Sequence, residues 1–352
     1  MGITDSAELA WSDWQGSAGF DRLDGADGVN GEDHWGAKWA KAYVDWAAGE
    51  NRSWLRKQGV SFFPVVGWAE RGDGTADGHG NSVPRFHLIW GTGPGLVAPF
   101  EKAVREAART SRVQMLGRHK VTELVVTDGV VCGVRGQVLA TDNVERGVAS
   151  SRSAVGAFEI EAQAVIVTAG GIGANLDLVR QFWPDRLGTP PQTMLTGVPA
   201  YVDGSMLSVM SNAGGRVVNR DRMWHYNEGL TNHSLVWSGH GVRVRAGPSG
   251  LWLDATGARL PAPNYPGFDT LGTLTHLCGT GHDYSWMVLT STILGKEWTL
   301  SGSEQNPDLT GRSVPAVLGR ARADLAAPIR AFLEAGIDLV VLSTEVGYAV
   351  GW

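Results

Sequence analysis

The 352-residue chain is 43% hydrophobic and 19% charged, ordinary proportions for a globular protein with room for roughly two domains. Its 30 Lys and Arg stand against 36 Asp and Glu, and the resulting formal charge of −6 supplies no field that would draw in a nucleic acid. No run approaches the roughly 20 apolar residues of a membrane span, and residues 1–13 lack the basic start and apolar stretch of a secretory signal, which leaves a cytoplasmic location as the default.

From 32 to 58, apolar residues recur at helical spacing through Trp35, Trp39, Tyr43 and Trp46, with Leu55 after a polar interruption and Gly59 as a stop. The pattern predicts one or two amphipathic helices with the tryptophans as a core stripe; an exposed sugar-stacking platform is the functional alternative. The glycine-rich stretch 62–79 reads as a loop and 85–90 as a short strand. Gly91-Thr92-Gly93-Pro94-Gly95 then opens a helix through 108, with Leu96, Phe100, Val104 and Ala107 on its inner face. Leu96 stands where a dinucleotide fingerprint needs its third glycine, and no acidic residue ends the next segment near Leu116, so this loop reads as a helix entry.

Residues 113–116 read as a strand, and 121–127 with 130–138 as a hairpin around Asp128-Gly129. The next strand, 158–168, ends in the unbroken apolar run Ala164-Val165-Ile166-Val167-Thr168, the pattern of a buried strand in a parallel sheet. It breaks at Ala169-Gly170-Gly171-Ile172-Gly173, and a helix follows over 175–182. Beyond Trp183 the chain turns proline-, glycine- and tryptophan-rich with short strands such as 251–253, and helical patterning returns only at 314–335. This shift divides the chain into 1–222 and 223–352. Cys132 and Cys278 have no ligand-like spacing and read as small buried hydrophobes, so neither a disulfide framework nor a metal site is expected.

A strand, a glycine turn and a helix together hold pyrophosphates in many proteins, because free N–H groups and the helix dipole face the anion. Here the run from Ala164 to Gly171 resembles the second flavin-contacting strand of the fumarate reductase and 3-ketosteroid dehydrogenase superfamily. Tyr201-Val202-Asp203-Gly204, with Ala213-Gly214-Gly215 after it, is similar to that superfamily's Thr-Gly-Asp-Gly loop and the helix it opens; Asp203 and Gly204 match, while Tyr201 and Val202 depart. Leu251-Trp252-Leu253-Asp254, with Gly257 and Arg259, looks like its glycine-any-arginine hairpin in the substrate half. The stretches from His79 to His87 and from Arg222 to Tyr226 resemble a subgroup called FAD-binding dehydrogenases, and in order and spacing the resemblance runs from Gly2 to about Ala335.

The resemblance implies an α/β fold: a Rossmann-like FAD-binding domain lacking its first βαβ unit, with part of an inserted α+β substrate (capping) domain. It implies an FAD-dependent oxidoreductase, a dehydrogenase moving hydride between flavin and an organic substrate next to a carbonyl, ketosteroid- or fumarate-like. The partners implied are a small-molecule substrate and an unidentified electron acceptor or donor, with no metal. Family members open with a strand, a G-x-G-x-x-G loop, a helix and an acidic residue, and close with a further glycine loop. Neither is found in this sequence, so the chain reads as truncated at both ends and is expected to bind FAD weakly or not at all. Cofactor contacts fall to Val121, Thr168, Ala169, Gly170, Gly171, Asp203 and Gly204.

For the chemistry, residues two apart on a strand share a face, so Arg85 and His87 project together. An arginine beside an imidazole can hold and polarise a carbonyl or carboxylate. His225 and Tyr226 fall where the resemblance puts the junction of the two domains, and a tyrosine beside a cation can pass a proton there. Fumarate reductases use histidine and arginine, ketosteroid dehydrogenases use tyrosines, and this chain offers both. The alternatives are a structural Arg85–His87 pair with Tyr226 in a packing role, an inactive fragment, or a tryptophan-rich carbohydrate- or ligand-binding module.

Overall fold

The computed structural model describes residues 4–25, 30–67, 70–72, 80–145, 148–232, 234–245, 247–313, 339–345 and 347–349. His79 and the helix expected at 314–335 lie outside these residues.

Helix α1 (Ala7–Ala18) starts at Ser6, whose hydroxyl accepts from the Leu9 N–H. Helices α2 (His34–Ala48) and α3 (Asn51–Lys57) follow, but the tryptophans are not their core stripe. Trp35 is 61% exposed and Trp39 75%, while the buried residues of α2 are Ala40 and Val44. Periodicity says which residues share a face. It does not say which face is buried, and here the small residues let α1 approach while Tyr43, Trp46 and Trp54 meet ring to ring outside.

Strand β1 (Phe62–Gly67) pairs antiparallel with β2 (Phe86–Ile89), where a loop was expected from 62 onward. The β-formers of Phe62-Phe63-Pro64-Val65-Val66 precede the glycine-rich part, and their partner arrives only about twenty residues later. Helix α4 (Thr92–Arg109) starts at Gly91, which sits at φ 91°. Val104 is exposed rather than on an inner face. Residues 113–116 form no strand.

Strands β3 (His119–Thr127), β4 (Val130–Leu139) and β5 (Ala154–Glu161) make a three-stranded antiparallel sheet. Asp128 and Gly129 both have positive φ, 51° and 77°, as a type I′ hairpin demands. The buried parallel strand expected at 158–168 is overturned. β5 runs antiparallel to β4 and stops at Glu161, the run 164–168 lies in no strand, and Ile166 is 88% exposed. An apolar run becomes a buried strand only where neighbours supply hydrogen bonds, and among the described residues no strand flanks it.

Helix α5 (Leu176–Gln181) is capped by Asn175, whose side chain accepts from the Leu178 N–H at 3.1 Å. A 3-10 turn (Asp185–Leu187), β6 (Met194–Thr196) and α6 (Ser205–Asn212) come next, and α6 packs on β3. The remainder comprises β7 (His225–Tyr226), β8 (Gly229–Thr231), β9 (Gly241–Arg245), β10 (Leu251–Leu253), α7 (Thr270–Gly279), β11 (Tyr284–Thr290), α8 (Ser291–Lys296), β12 (Thr299–Leu300), α9 (Pro307–Thr310), β13 (Leu339–Glu345) and β14 (Gly347–Ala349). A six-stranded sheet has the order β10-β11-β13-β8-β9-β12; a three-stranded one, β6-β14-β7, joins strands from either side of residue 222 and holds the parallel pair β6–β14.

One apolar cluster runs from Ile172, Val179 and Trp183 through Met194 and Met223 to Val242 and Val244. It therefore ties the Gly170–Gly173 turn, the approach to β7 and the strand β9 to a common core. Leu274 and Leu277 of α7 are fully buried in it, each worth about 1.5–3 kcal/mol of burial, and α7 packs against β7 and the 3-10 turn. His225 and Tyr226 are thus held on a braced strand.

Candidate functional site

Two of the expected cofactor segments meet. Gly170 turns at φ 82°, after which Gly171 and Ile172 dip into the core. The Ala174 N–H donates to the Val202 carbonyl at 3.0 Å, and Asn175 Nδ2 donates to the Asp203 carbonyl at 3.1 Å. Gly204, at φ 74°, is packed so tightly that a β-carbon would lie 2.6 Å from Ile172 Cγ2 and 3.1 Å from Leu178 Cδ1. Asp203 Oδ1 accepts from the Ser205 N–H at 2.9 Å, fixing the entry into α6. Val121 lies on β3, the strand against which α6 packs.

Thr168, Ala169 and Gly170 are themselves exposed, next to exposed Ile166. A glycine turn with bare backbone beside an apolar run is a surface that a flat, largely apolar ring can approach closely. These residues fit the ring end of a flavin. The Gly91 loop, in contrast, is filled: its N–H donates to the Leu309 carbonyl at 3.0 Å, and the Arg312 guanidinium lies over Gly91 and Gly95.

Arg85 is held by carboxylates. Nη1 donates to Asp13 at 2.5 Å, and Nε and Nη2 donate to Asp5 at 3.0 and 2.8 Å. Asp13, fully buried, also accepts from the Ser82 N–H and hydroxyl at 2.9 and 2.8 Å. Burial favours the neutral form of Asp13, but Arg85 and Ser82 outweigh it and keep the group below the usual carboxylate range. Arg85 thus pins the segment entering β2 to α1. His87 is exposed, its Nδ1 3.0 Å from the Arg85 carbonyl and its ring edge-on to Phe62 at 4.8 Å.

His225 is 2% exposed and tilted against Trp183 at 4.9 Å between centroids. Its Nε2 is buried without a hydrogen-bond partner among the described residues, and burial, with the Arg186 charge nearby, pushes the imidazole down to about 4. Tyr226 is half-buried, and the Arg243 guanidinium lies 3.6 Å from its ring centroid.

Around Tyr226 the structure assembles a charged cluster that sequence reasoning missed. Arg243 Nε donates to Glu228 at 3.0 Å, and Glu228 is 4% exposed. Burial disfavours the charged form of Arg243, but Glu228, Tyr226 and Glu70 outweigh it and raise its pKa. Glu70 accepts from the Thr270 N–H and hydroxyl at 2.9 and 2.6 Å. Desolvation raises its pKa despite those bonds. It sits at φ 52°, a left-handed conformation that a non-glycine residue adopts only when its surroundings impose it. Two positions along β9, the Arg245 guanidinium lies 3.8 Å from the Phe86 ring centroid. The two arginines therefore join the two candidate segments, 85–87 and 225–226, through Phe86 rather than through Arg85 or His87. The available signal was Arg243-Val244-Arg245 itself: two arginines alternating with a residue that turns out fully buried.

A cavity of about 670 Å³ is lined by Trp183, which packs on His225, with Arg186 and Arg22 among others. Its charges are matched internally, with Arg22 donating to both carboxylate oxygens of Asp221 at 2.7 and 2.6 Å. Among the described residues, no group of three or more His, Cys, Asp or Glu is placed to hold a metal ion.

Known proteins bear on this arrangement. A KsdD-like steroid dehydrogenase of Mycolicibacterium smegmatis is 56% identical over 340 residues, covering 97% of this chain and 60% of its own length. A KsdD-like steroid dehydrogenase of Mycobacterium tuberculosis is 54% identical over 341 residues, covering 97% and 58%. The chain thus spans about 60% of the length of the curated relatives it matches. The open conformation of a flavocytochrome c3 fumarate reductase superposes with a TM-score of 0.57 at 14% identity, over 99% of this chain and 57% of that one, a likeness of fold. Residues 1–340 match the family described as FAD binding domain, and with the glycine turn and the Asp203–Gly204 loop meeting as they do, the chain belongs to that family.

Proposed function

We propose that the chain supplies the flavin-facing and substrate-facing parts of an FAD-dependent dehydrogenase that moves hydride between the flavin and a ketosteroid-like substrate, next to its carbonyl. In this reading, residues 1–222 belong to a Rossmann-like FAD-binding domain without its first βαβ unit, and 223–352 to part of an inserted substrate domain. The enzyme is cytoplasmic and takes a small molecule and a separate electron acceptor or donor. The observation that carries the reading is the shared core that connects the exposed Thr168–Gly170 turn to Tyr226 and its arginine. The names of the two mycobacterial relatives support the substrate class.

FAD, when bound, supplies the hydride chemistry. Thr168, Ala169, Gly170 and Gly171 would face its ring, with Asp203, Gly204 and Val121 behind them. Tyr226 passes the proton at its hydroxyl, and Arg243 holds the ring in place and keeps a positive charge over its face. His225, uncharged at neutral pH, shapes the wall beneath it. Arg85 acts as a positioning residue through α1, and His87 lines the approach at the strand edge. The test is anaerobic mixing of a 3-ketosteroid with the FAD-loaded protein, extended to the full length of its relatives, while flavin absorbance is followed. Tyr226→Phe should keep its flavin and slow flavin reduction by roughly a hundredfold. Reduction at the parental rate in that variant removes Tyr226 from the chemistry, and absence of any flavin reduction removes the substrate class.

A further inference from the structure

We propose that α2, α3 and α4 form a docking surface for an anionic lipid bilayer, an inference independent of the function proposed above. Trp35, Trp39, Tyr43 and Trp46 follow one another at steps of four, four and three along α2. At about 100° per residue they share one stripe, adjoining the buried Ala40–Val44 face, and all four are exposed. The stripe continues through ring contacts: Tyr43 to Trp46 at 6.3 Å, Trp46 to Trp54 of α3 at 5.7 Å, and Trp54 to Phe100 of α4 at 5.8 Å. Val97 and Val104, three before and four after Phe100 on the same helix face, are exposed as well. Hydrophobic residues scattered singly need no explanation, but a continuous exposed face across three helices marks an interaction site.

Charge selects the partner. The three helices carry eight Lys and Arg against three Asp and Glu, in a chain whose net charge is −6. Lys38 extends its ammonium over the Trp35 ring at 4.5 Å, which sets one basic group against the stripe itself. Amphipathic Trp and Tyr rings among Lys and Arg suit the headgroup level of a bilayer, where ring and ammonium both find their medium. Protein–protein interface cores are instead depleted in Lys, and a second copy of the same face would meet it with like charge.

The test is co-sedimentation of the chain with phosphatidylcholine vesicles prepared with and without phosphatidylglycerol, at low and high salt. Binding should appear with phosphatidylglycerol, fall at high salt, and be accompanied by a blue shift of tryptophan fluorescence. Trp35→Ala with Trp39→Ala should abolish most of it. Arg52→Glu with Lys57→Glu, both exposed, should weaken it by roughly tenfold or more, since each basic group near an anionic surface is worth about fivefold. Melting curves monitor the fold of both variants. No sedimentation with anionic vesicles, equal sedimentation with neutral ones, or binding undiminished in both variants overturns the proposal. So does an oligomer that the two-tryptophan variant dissolves while vesicles bind nothing, which would assign the face to a second copy.

Discussion

Replacing His225 should change how stability depends on pH, and the size of the change follows from its surroundings. The imidazole is nearly free of solvent, packs on Trp183, has no partner at Nε2 among the described residues, and is held at about 4 against an ordinary value of 6.5. Its folded-state pKa is depressed, so between those values the unfolded chain binds the proton and the folded chain does not. The stabilising contribution is fully present above pH 6.5 and is lost as pH falls toward 4. At about 1.4 kcal/mol per pH unit, that loss reaches about 3 kcal/mol. Other groups leave the window clear or oppose it. Asp221, held near 2 by Arg22, loses its contribution only below the ordinary carboxylate value of 3.8. Glu70 is raised by burial and so works with the opposite sign as pH rises through its range. The quantity to read is therefore the difference between parent and His225→Gln in urea-unfolding free energy, measured at steps from pH 4.5 to 7.5. The parent should lose stability relative to the variant on acidification, steeply between 6.5 and 4.5. A difference that stays flat across that range refutes the claim that His225 is buried uncharged. The same burial bears on the proposed chemistry, because an imidazole that is neutral at pH 7 carries no imidazolium charge there, in keeping with a proposed wall role for His225 beside Tyr226.

Gly204→Ala should destabilise by about 2–4 kcal/mol, since it pays both a left-handed backbone at φ 74° and a clash with Ile172, and thermal melting will show it. Glu228→Gln removes the carboxylate hydrogen-bonded to Arg243 and leaves only the Glu70 charge near it; it should cost about 3 kcal/mol in chemical denaturation, whereas a loss below about 1 kcal/mol would mean the pair is solvated. Asp13→Ala releases Arg85 and Ser82 together; hydrogen exchange should speed up in α1 before the rest of the chain, with a stability loss of about 2–3 kcal/mol.

Local chemistry was legible where it is self-contained. The Asp128-Gly129 hairpin and the entry into α4 at Gly91 are each decided by one or two residues whose backbone can do little else. The apolar run at 164–168 and the tryptophan stripe were misread for a common reason. Hydrophobicity states a demand for cover without saying what provides it, and neither segment is covered among the described residues. The glycine turn and the Asp203–Gly204 loop were legible through resemblance, and the contact between them needed the fold, because Val202 and Asp203 are reached only after α5 and β6 intervene.

The charged cluster at Tyr226 was invisible for a deeper reason. Glu70, Thr270, Glu228 and Arg243 are scattered over some two hundred positions, and a lone Glu or Arg in sequence reads as surface. Only a sheet that lays β8 beside β9 brings Glu228 to Arg243. Strand alternation does the rest: it turns Phe86 toward Arg245 while Arg85 reaches α1. Spacing alone correctly separates Phe86 from Arg85 and His87, but it cannot choose which side meets the site. That choice is made by Asp5 and Asp13, which claim Arg85 for α1 and leave the aromatic side of β2 to the arginines of β9. A change at Asp13 should therefore be felt at Tyr226, through the orientation of β2 rather than through any direct contact.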